Sequence, residues 1–139
     1  MTDLEQAIRL LKAEQYTCVL FWGDTHYSSR QRGVRPLLDF LDSGEDFAGF
    51  SAADKVVGKA TAFLYCLLGV TAVHAGVLSD SAAQVLADAK IAFSCDRQVS
   101  GIRNRDNTGP CPMETATKDL TDPRQALAAI RNTLKALQK

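Results

Sequence analysis

The stretch from Ala60 to Ser79 contains no Asp, Glu, Lys or Arg, and it is long enough for a membrane-spanning helix. Gly69 divides the stretch into two parts of different character. The first part, Ala60–Leu68, has a helical pattern, whereas Val70–Leu78 is rich in valine, as strands are. We therefore interpret it as a buried helix followed by a buried strand, and we expect no contact with a membrane.

Helix and strand patterns alternate along the rest of the chain. Thr2 and Glu5 form a capping box at the start of an amphipathic helix. The run Tyr16–Trp22 is β-branched and aromatic, and His26–Arg30 can return beside it as the second strand of a hairpin. Further helices are predicted to begin near Val34, at Asp54, at Ser79 or Asp80, at Cys111 or Pro112, and after Asp122. Further strands are predicted at Phe47–Ala53 and at Ile91–Cys95, and we expect Ile91–Cys95 to be buried.

This order of elements predicts one α/β domain over residues 1–139. Strands that are separated by helix-length crossovers pair in parallel, and the early hairpin adds an antiparallel edge. We expect a three-layer sandwich with a mixed sheet of about five strands and helices on both faces.

Charge and cysteine content exclude several classes of protein. The 16 basic and 16 acidic residues balance, which argues against a general nucleic-acid binder. The cysteines are far apart, and three of them stand in apolar runs, so we expect reduced thiols in a cytoplasmic protein rather than disulfides. The acidic start, Thr2–Glu5, does not have the pattern of a signal peptide.

The segment Asp54–Lys59 mixes charge with a glycine at a predicted helix start. Asp54 would cap this helix, and Lys55 and Lys59, four residues apart, would share one face and attract an anion. Gly58 within a helix would cost about 1 kcal/mol relative to Ala, and it would let a backbone or a ligand approach. The alternative is a capping Asp, two solvated lysines and a packing glycine. The segment is not a P-loop, because Ala60 follows Lys59 and Ala53 stands where the first glycine is needed.

A second polar segment, Asp96–Pro112, is predicted to be an irregular loop. It is longer than a loop that only connects two elements needs to be. Its arginines, Arg97, Arg103 and Arg105, suit phosphate or carboxylate groups. A turn with exposed N–H groups follows at Asn107–Pro110. A disordered loop is the alternative.

Two reactive side chains follow this loop. Cys111 stands near a predicted helix start, which would lower its pKa and make it a candidate nucleophile, and Glu114 comes close to the same helix face. For zinc this pair has too few ligands, and neither His26 nor His74 has metal-ligand spacing to a cysteine. We expect no zinc and no other cofactor.

Four segments of the chain resemble a small prokaryotic family of unknown function that has a cytidine-deaminase-like fold. The resemblance extends from about Leu4 to Leu134, and Thr61 is a mild departure from it. The segments that carry it are Glu14–Leu20, Arg32–Leu38, Ala53–Ala60 and Asn104–Glu114, of which the last two are the most specific.

The resemblance implies the fold but not the zinc chemistry of deaminases. Their signature places His-x-Glu or Cys-x-Glu on one helix and Pro-Cys-x-x-Cys at the start of the next. Here the first position holds Asp54-Lys55-Val56, and the next strand–helix junction, Leu78–Ser81, has no cysteine. The segment Pro110–Glu114 comes one strand too late, and Glu114 replaces the second cysteine.

Our leading hypothesis is therefore a metal-free, deaminase-like site for a nucleotide-type or other phosphorylated small molecule. Whether the chain is an enzyme stays open. The alternatives are a structural or interaction domain, whose motifs serve packing and assembly into a homo-oligomer, and a divergent deaminase-superfamily enzyme. The candidate ligand-binding residues are Asp54, Lys55, Lys59, Arg103, Asn104, Arg105, Thr108, Gly109, Cys111 and Glu114.

Overall fold

The computed structural model describes residues 1–104 and 107–137. Its helices are α1 (Asp3–Ala13), α2 (Arg35–Asp42), α3 (Lys59–Leu68), α4 (Asp80–Asp88), α5 (Pro112–Thr117) and α6 (Pro123–Leu137). Its strands are β1 (Cys18–Trp22), β2 (Thr25–Ser29), β3 (Ser51–Val57), β4 (Ala72–Ser79) and β5 (Ala92–Val99).

The five strands form one mixed sheet in the order β2-β1-β3-β4-β5. The hairpin of β1 and β2 is antiparallel, and β1 also pairs antiparallel with β3. The strands β3, β4 and β5 are parallel, and helices α3 and α4 connect them. The expected mixed sheet with an antiparallel edge is confirmed.

Helices pack on both faces of this sheet. Side chains alternate between the faces along each strand. Val19 and Ala53 pack with α1 in a small cluster, whereas Cys18, Leu20 and Ala52 belong to the main core. The helices α2 to α6 contribute to that main core, which places α1 alone on the other face. No helix among the described residues is long and apolar enough to cross a membrane.

Local sequence signals set several helix starts as predicted. The Thr2 and Glu5 side chains make both hydrogen bonds of the capping box. Ser79 caps α4 by accepting from the backbone N–H of Ala82. Before α6, the Asp122 carboxylate accepts from the backbone N–H of Arg124.

Two predicted boundaries are wrong. Asp54 does not cap a helix: β3 continues through it to Val57, and α3 starts only at Lys59, because Asp54 pairs with Cys18 of β1 and Ala75 of β4. Further along, β5 extends beyond Cys95 to Val99, so the first residues of the predicted loop are strand. This strand lies at the edge of the sheet and is mostly exposed, rather than buried as we expected.

The backbones of β3 and β4 approach closely at Gly76. A Cβ atom at this position would lie 2.6 Å from the carbonyl oxygen of Lys55, and a backbone atom of a central strand has little freedom to move. Gly76 therefore permits β3 and β4 to pair. The pairing of these strands positions α3 and α4, which follow them.

We predict that Gly76→Ala lowers the free energy of unfolding by about 1–3 kcal/mol, the usual effect of overpacking. Gly101→Ala is the matched control, because a Cβ there meets nothing within 4 Å, and it should stay within about 0.5 kcal/mol of the wild type. Urea unfolding of both variants measures the difference. Equal stabilities would contradict a tight approach at Gly76.

Candidate functional site

The starts of α3 and α4 lie at the same edge of the sheet. Each helix follows one of the parallel strands, β3 or β4, and the carboxyl ends of parallel strands meet at one edge. Ligand sites of open α/β sheets form beyond this edge. Gly58 precedes α3 without a side-chain cap of its own, and Ser79 caps α4.

The side chain of Glu114, in α5, binds the first backbone N–H group of α3. Its Oε1 atom accepts from the backbone N–H of Lys59 at 2.7 Å, and the two residues are 55 positions apart. The Lys59 ammonium in turn donates to the carbonyl oxygen of Lys118 at 2.7 Å. We call Gly58, Lys59, Ser81 and Glu114 the Glu114 junction; through it the α5 segment is fixed to the start of α3.

Glu114 is half-buried, and its environment acts on its acidity in opposite directions. Burial raises the pKa of this carboxyl, while the Lys59 backbone N–H, the Lys59 charge and the Ser81 hydroxyl lower it, and the net direction is upward. A carboxyl group with a raised pKa beside a lysine and a serine can exchange a proton with a bound molecule.

Gly58 leaves the space that the Glu114 carboxylate occupies. A Cβ atom at position 58 would overlap Oε1 of Glu114, and it would lie 3.1 Å from Cγ1 of Ile102. The sequence predicted a close approach at this glycine, and the approaching group is a side chain of the protein itself.

A groove of about 440 Å³ begins at the Glu114 junction and runs between α3 and α4 towards the start of α6. We call it the α3–α4 groove. Lys59 and Ser81 lie at one end, and Phe63, Val85 and Leu120 supply apolar walls. The remaining lining residues are Cys66, Gln84, Asp88, Ala89, Thr121 and Pro123.

Asp54 lies under α3, away from the groove, in a buried hydrogen-bonded chain. The Tyr65 hydroxyl donates to Oδ2 of Asp54 at 2.7 Å and lies 3.2 Å from Sγ of Cys18. Burial raises the pKa of Asp54 to about 7, although hydrogen bonds from Tyr65 and from the backbone oppose this. The pKa values of Cys18 and Tyr65 are also raised, first by burial and then by the charge of Asp54.

The loop residues bind mainly to one another. Arg103 donates to the side-chain and backbone oxygens of Asn107. Asn104 exchanges hydrogen bonds with Thr108, and its backbone N–H donates to the carbonyl oxygen of Gly109. Arg105 lies outside the described residues. The described part of this loop is a small self-bonded unit.

The other two predicted site residues have different surroundings. Lys55 is exposed on β3 and lines a cavity beside α1, so it does not share a helix face with Lys59. Cys111 is half-buried at the N-cap of α5 and packs against the core. Among the predicted residues, the structure therefore brings Lys59 and Glu114 into direct contact.

Sequence reasoning missed Ser81 and the groove walls on α3 and α4. Phe63 and Val85 follow ordinary helical spacing, which predicts only packing. Ser81 is the second residue of α4, and its position at the helix start was the one available signal. Within residues 1–104 and 107–137, no group of three or more His, Cys, Asp or Glu side chains could hold a metal ion.

Together these features define an α/β domain with a polar helix junction at the carboxyl edge of its parallel strands. The family model of TM1506, a domain of unknown function (DUF1893), matches residues 6–134, and the chain belongs to this family. The crystal structure of a DUF1893 family protein (TM1506) from Thermotoga maritima is similar, with a TM-score of 0.87 and 21% sequence identity. The match covers 95% of this chain and 90% of that chain, and it shows a common fold. No curated protein matches the sequence.

We predict that Asp54 makes stability depend on pH. The pKa of Asp54 is about 7 in the folded protein, whereas that of an ordinary aspartate is 3.8. The folded chain therefore binds a proton at Asp54 more tightly than the unfolded chain does. The stabilisation is complete below about pH 4 and is lost as the pH rises to about 7, which amounts to about 4 kcal/mol. Urea unfolding of the wild type and Asp54→Asn between pH 4 and pH 8 measures it. A constant difference between the two proteins would contradict the prediction.

We also predict that Gly58→Ala and Glu114→Ala act through the same hydrogen bond. Each change removes the acceptor from the Lys59 N–H, and an unsatisfied backbone donor costs about 1–3 kcal/mol. The double variant should then lose clearly less stability than the sum of the two single losses. Chemical unfolding of the four proteins gives this coupling. Additive losses would show that Gly58 does not act through Glu114.

Proposed function

We propose that this chain binds a nucleotide-type or other phosphorylated small molecule in the α3–α4 groove. The observation that carries the proposal is a largely apolar groove that has Lys59 and Ser81 at one end. The phosphate would lie near Lys59 and Ser81, and the apolar part of the molecule would lie against Val85 and Leu120.

The size and lining of the groove support this assignment. Ligand pockets typically measure about 300–1,000 Å³ and combine apolar walls with a few polar groups. Val85 and Leu120 are half-buried, so they present apolar surface to the groove that a flat heterocycle can cover. Gln84 and Asp88, which share a hydrogen bond of 2.8 Å, supply a donor and an acceptor for the edge of such a ring.

The Glu114 carboxylate makes binding of an anion dependent on a proton. An ionised Glu114 would repel a phosphate beside Lys59, whereas a protonated Glu114 would not. The raised pKa of this carboxyl reduces the free energy that its protonation requires near neutral pH. Binding is therefore expected to take up a proton at Glu114.

We further propose that the fold is a cytidine-deaminase-like sandwich with a metal-free site. Three features support it: the mixed five-stranded sheet, the helices on both of its faces, and the two helix starts at the carboxyl edge. Deaminases place their zinc ligands on two such helices. In this chain the Glu114 junction lies at these helix starts, where it places a lysine, a serine and a carboxyl group.

We predict that Lys59→Ala weakens binding of a pyrimidine nucleoside monophosphate ten- to a hundredfold, because one charge-assisted contact is worth about 1.5–3 kcal/mol. Glu114→Gln should strengthen binding, since it keeps an acceptor for the Lys59 N–H and removes the negative charge. The advantage of Glu114→Gln over the wild type should grow as the pH rises from 5 to 8. Isothermal titration calorimetry at both pH values, with inorganic phosphate as a second probe, measures these effects.

Lys135→Ala is the matched control, because Lys135 is exposed in the last turn of α6 and does not line the groove. It should bind like the wild type. If Lys59→Ala and Lys135→Ala have equal effects, the site lies elsewhere. If neither probe binds the wild type at millimolar concentration, the alternative of an interaction domain without a small ligand is favoured.

A further inference from the structure

A hydrogen-bonded chain of Ser94, His74 and Asp96 lies on the opposite face of the sheet from the α3–α4 groove. Nδ1 of His74 is 2.8 Å from Oγ of Ser94, and Nε2 is 3.2 Å from Oδ1 of Asp96. The parallel pairing of β4 and β5 brings these residues together. His74 is the register partner of Ser94, and Asp96 follows two residues later on the same strand face.

The hydrogen bonds fix the roles of the two ring nitrogens. A carboxylate oxygen only accepts, so Nε2 of a neutral His74 carries the proton and donates it to Asp96. Nδ1 then has a free lone pair that accepts from the Ser94 hydroxyl. A base that contacts a hydroxyl nucleophile, and is itself oriented by a carboxylate, is the arrangement that activates serine in acyl transfer.

The residues of this hydrogen-bonded chain differ in burial in the way that a nucleophile and its base require. His74 is only 8% exposed, so the surrounding sheet holds its ring in one orientation. Ser94 is exposed on the edge strand and is accessible to a molecule from solution. A nucleophile must be reached by its substrate, whereas its base gains from a fixed position.

A cavity of about 420 Å³ lies beside the hydrogen-bonded chain, and Asp96 is one of its lining residues. Its other lining residues are Leu11, Lys12, Gln15, Lys55 and Gly76. Lys12 is 3.7 Å from Oδ2 of Asp96, and Lys55 adds a second cation. The cavity therefore offers a polar space next to Asp96 that can hold part of a substrate.

We propose that Ser94, His74 and Asp96 form a nucleophilic site that cleaves small carboxylic esters. Oγ of Ser94 bonds to the ester carbonyl carbon while its proton passes to Nδ1 of His74. The C–O bond to the alcohol breaks, and the alcohol leaves with that proton. In the second half, His74 takes a proton from a water molecule whose oxygen bonds to the acyl carbon. The bond between this carbon and Oγ of Ser94 then breaks, Oγ takes the proton from His74, and the acid is released.

The site is independent of the proposed function in the α3–α4 groove. The other interpretation of the same contacts is that Ser94 and Asp96 only satisfy the hydrogen bonds of a buried histidine. Both interpretations give the same static geometry, but only a nucleophilic site makes Ser94 more reactive than other exposed serines.

The test is covalent labelling of the folded protein with a fluorophosphonate, in which Oγ displaces fluoride from phosphorus. We expect one label per chain, mapped to Ser94 by mass spectrometry, and none at Ser94 after unfolding in urea. Asp96→Asn should slow the labelling at least tenfold, because the base loses its orienting carboxylate. Asp96 is half-exposed, which makes this variant tolerable for the fold.

Ser100→Ala is the matched control, since Ser100 is an exposed serine just beyond β5 and makes no contact with His74 among the described residues. It should be labelled at the wild-type rate, and it should release p-nitrophenol from p-nitrophenyl acetate as the wild type does, while Ser94→Ala releases none above background. An unlabelled Ser94 in the folded wild type would overturn the proposal. So would a labelling rate that is equal at Ser94 and Ser100, or one that Asp96→Asn leaves unchanged.

Discussion

The Tyr65 hydroxyl joins the three elements on which the site depends. It contacts Asp54 of β3 and Cys18 of β1 from the buried face of α3, and the two strands are paired at these positions. These polar groups are buried, and an unpaired buried group would cost about 1–3 kcal/mol. The chain of hydrogen bonds therefore sets where α3 lies on the sheet, and with it where Lys59 emerges at the edge.

The position of α3 then determines how α5 is held. The Glu114 carboxylate binds the first N–H of α3, and a negative charge at this end of a helix is favoured by the helix dipole. The protein thus supplies its own anion where the sequence suggested an external one. A phosphate in the proposed site would lie close to this carboxylate, which is why the proposed binding is linked to a proton.

The sequence allowed the order of elements to be predicted because the signals involved are local. The capping box at Thr2, the Ser79 cap and the Asp122–Pro123 start each act within a few residues. The DUF1893 family and the mixed sheet agree with the resemblance that was stated from four short segments. The finer cytidine-deaminase-like assignment stays a proposal.

The parts that could not be predicted depend on distant partners. Asp54 resembled a helix cap because its true partner, Tyr65, lies on the next helix and is recognised only once α3 is packed. The bond between Glu114 and Lys59 spans 55 positions, and no local pattern encodes it. The polar end of β5 resembled a loop, because an edge strand exposed to water does not show the apolar alternation of a buried strand.

The charged end of β5 also bears on how copies of this chain behave at high concentration. An edge strand presents a row of unpaired backbone groups to which a strand of another molecule can add, and charged side chains discourage this. In β5, Asp96 and Arg97 follow the exposed ring of Phe93 by three and four positions. Their charges oppose the aggregation that this aromatic edge would otherwise favour, so solubility and the geometry around His74 are set by the same short strand.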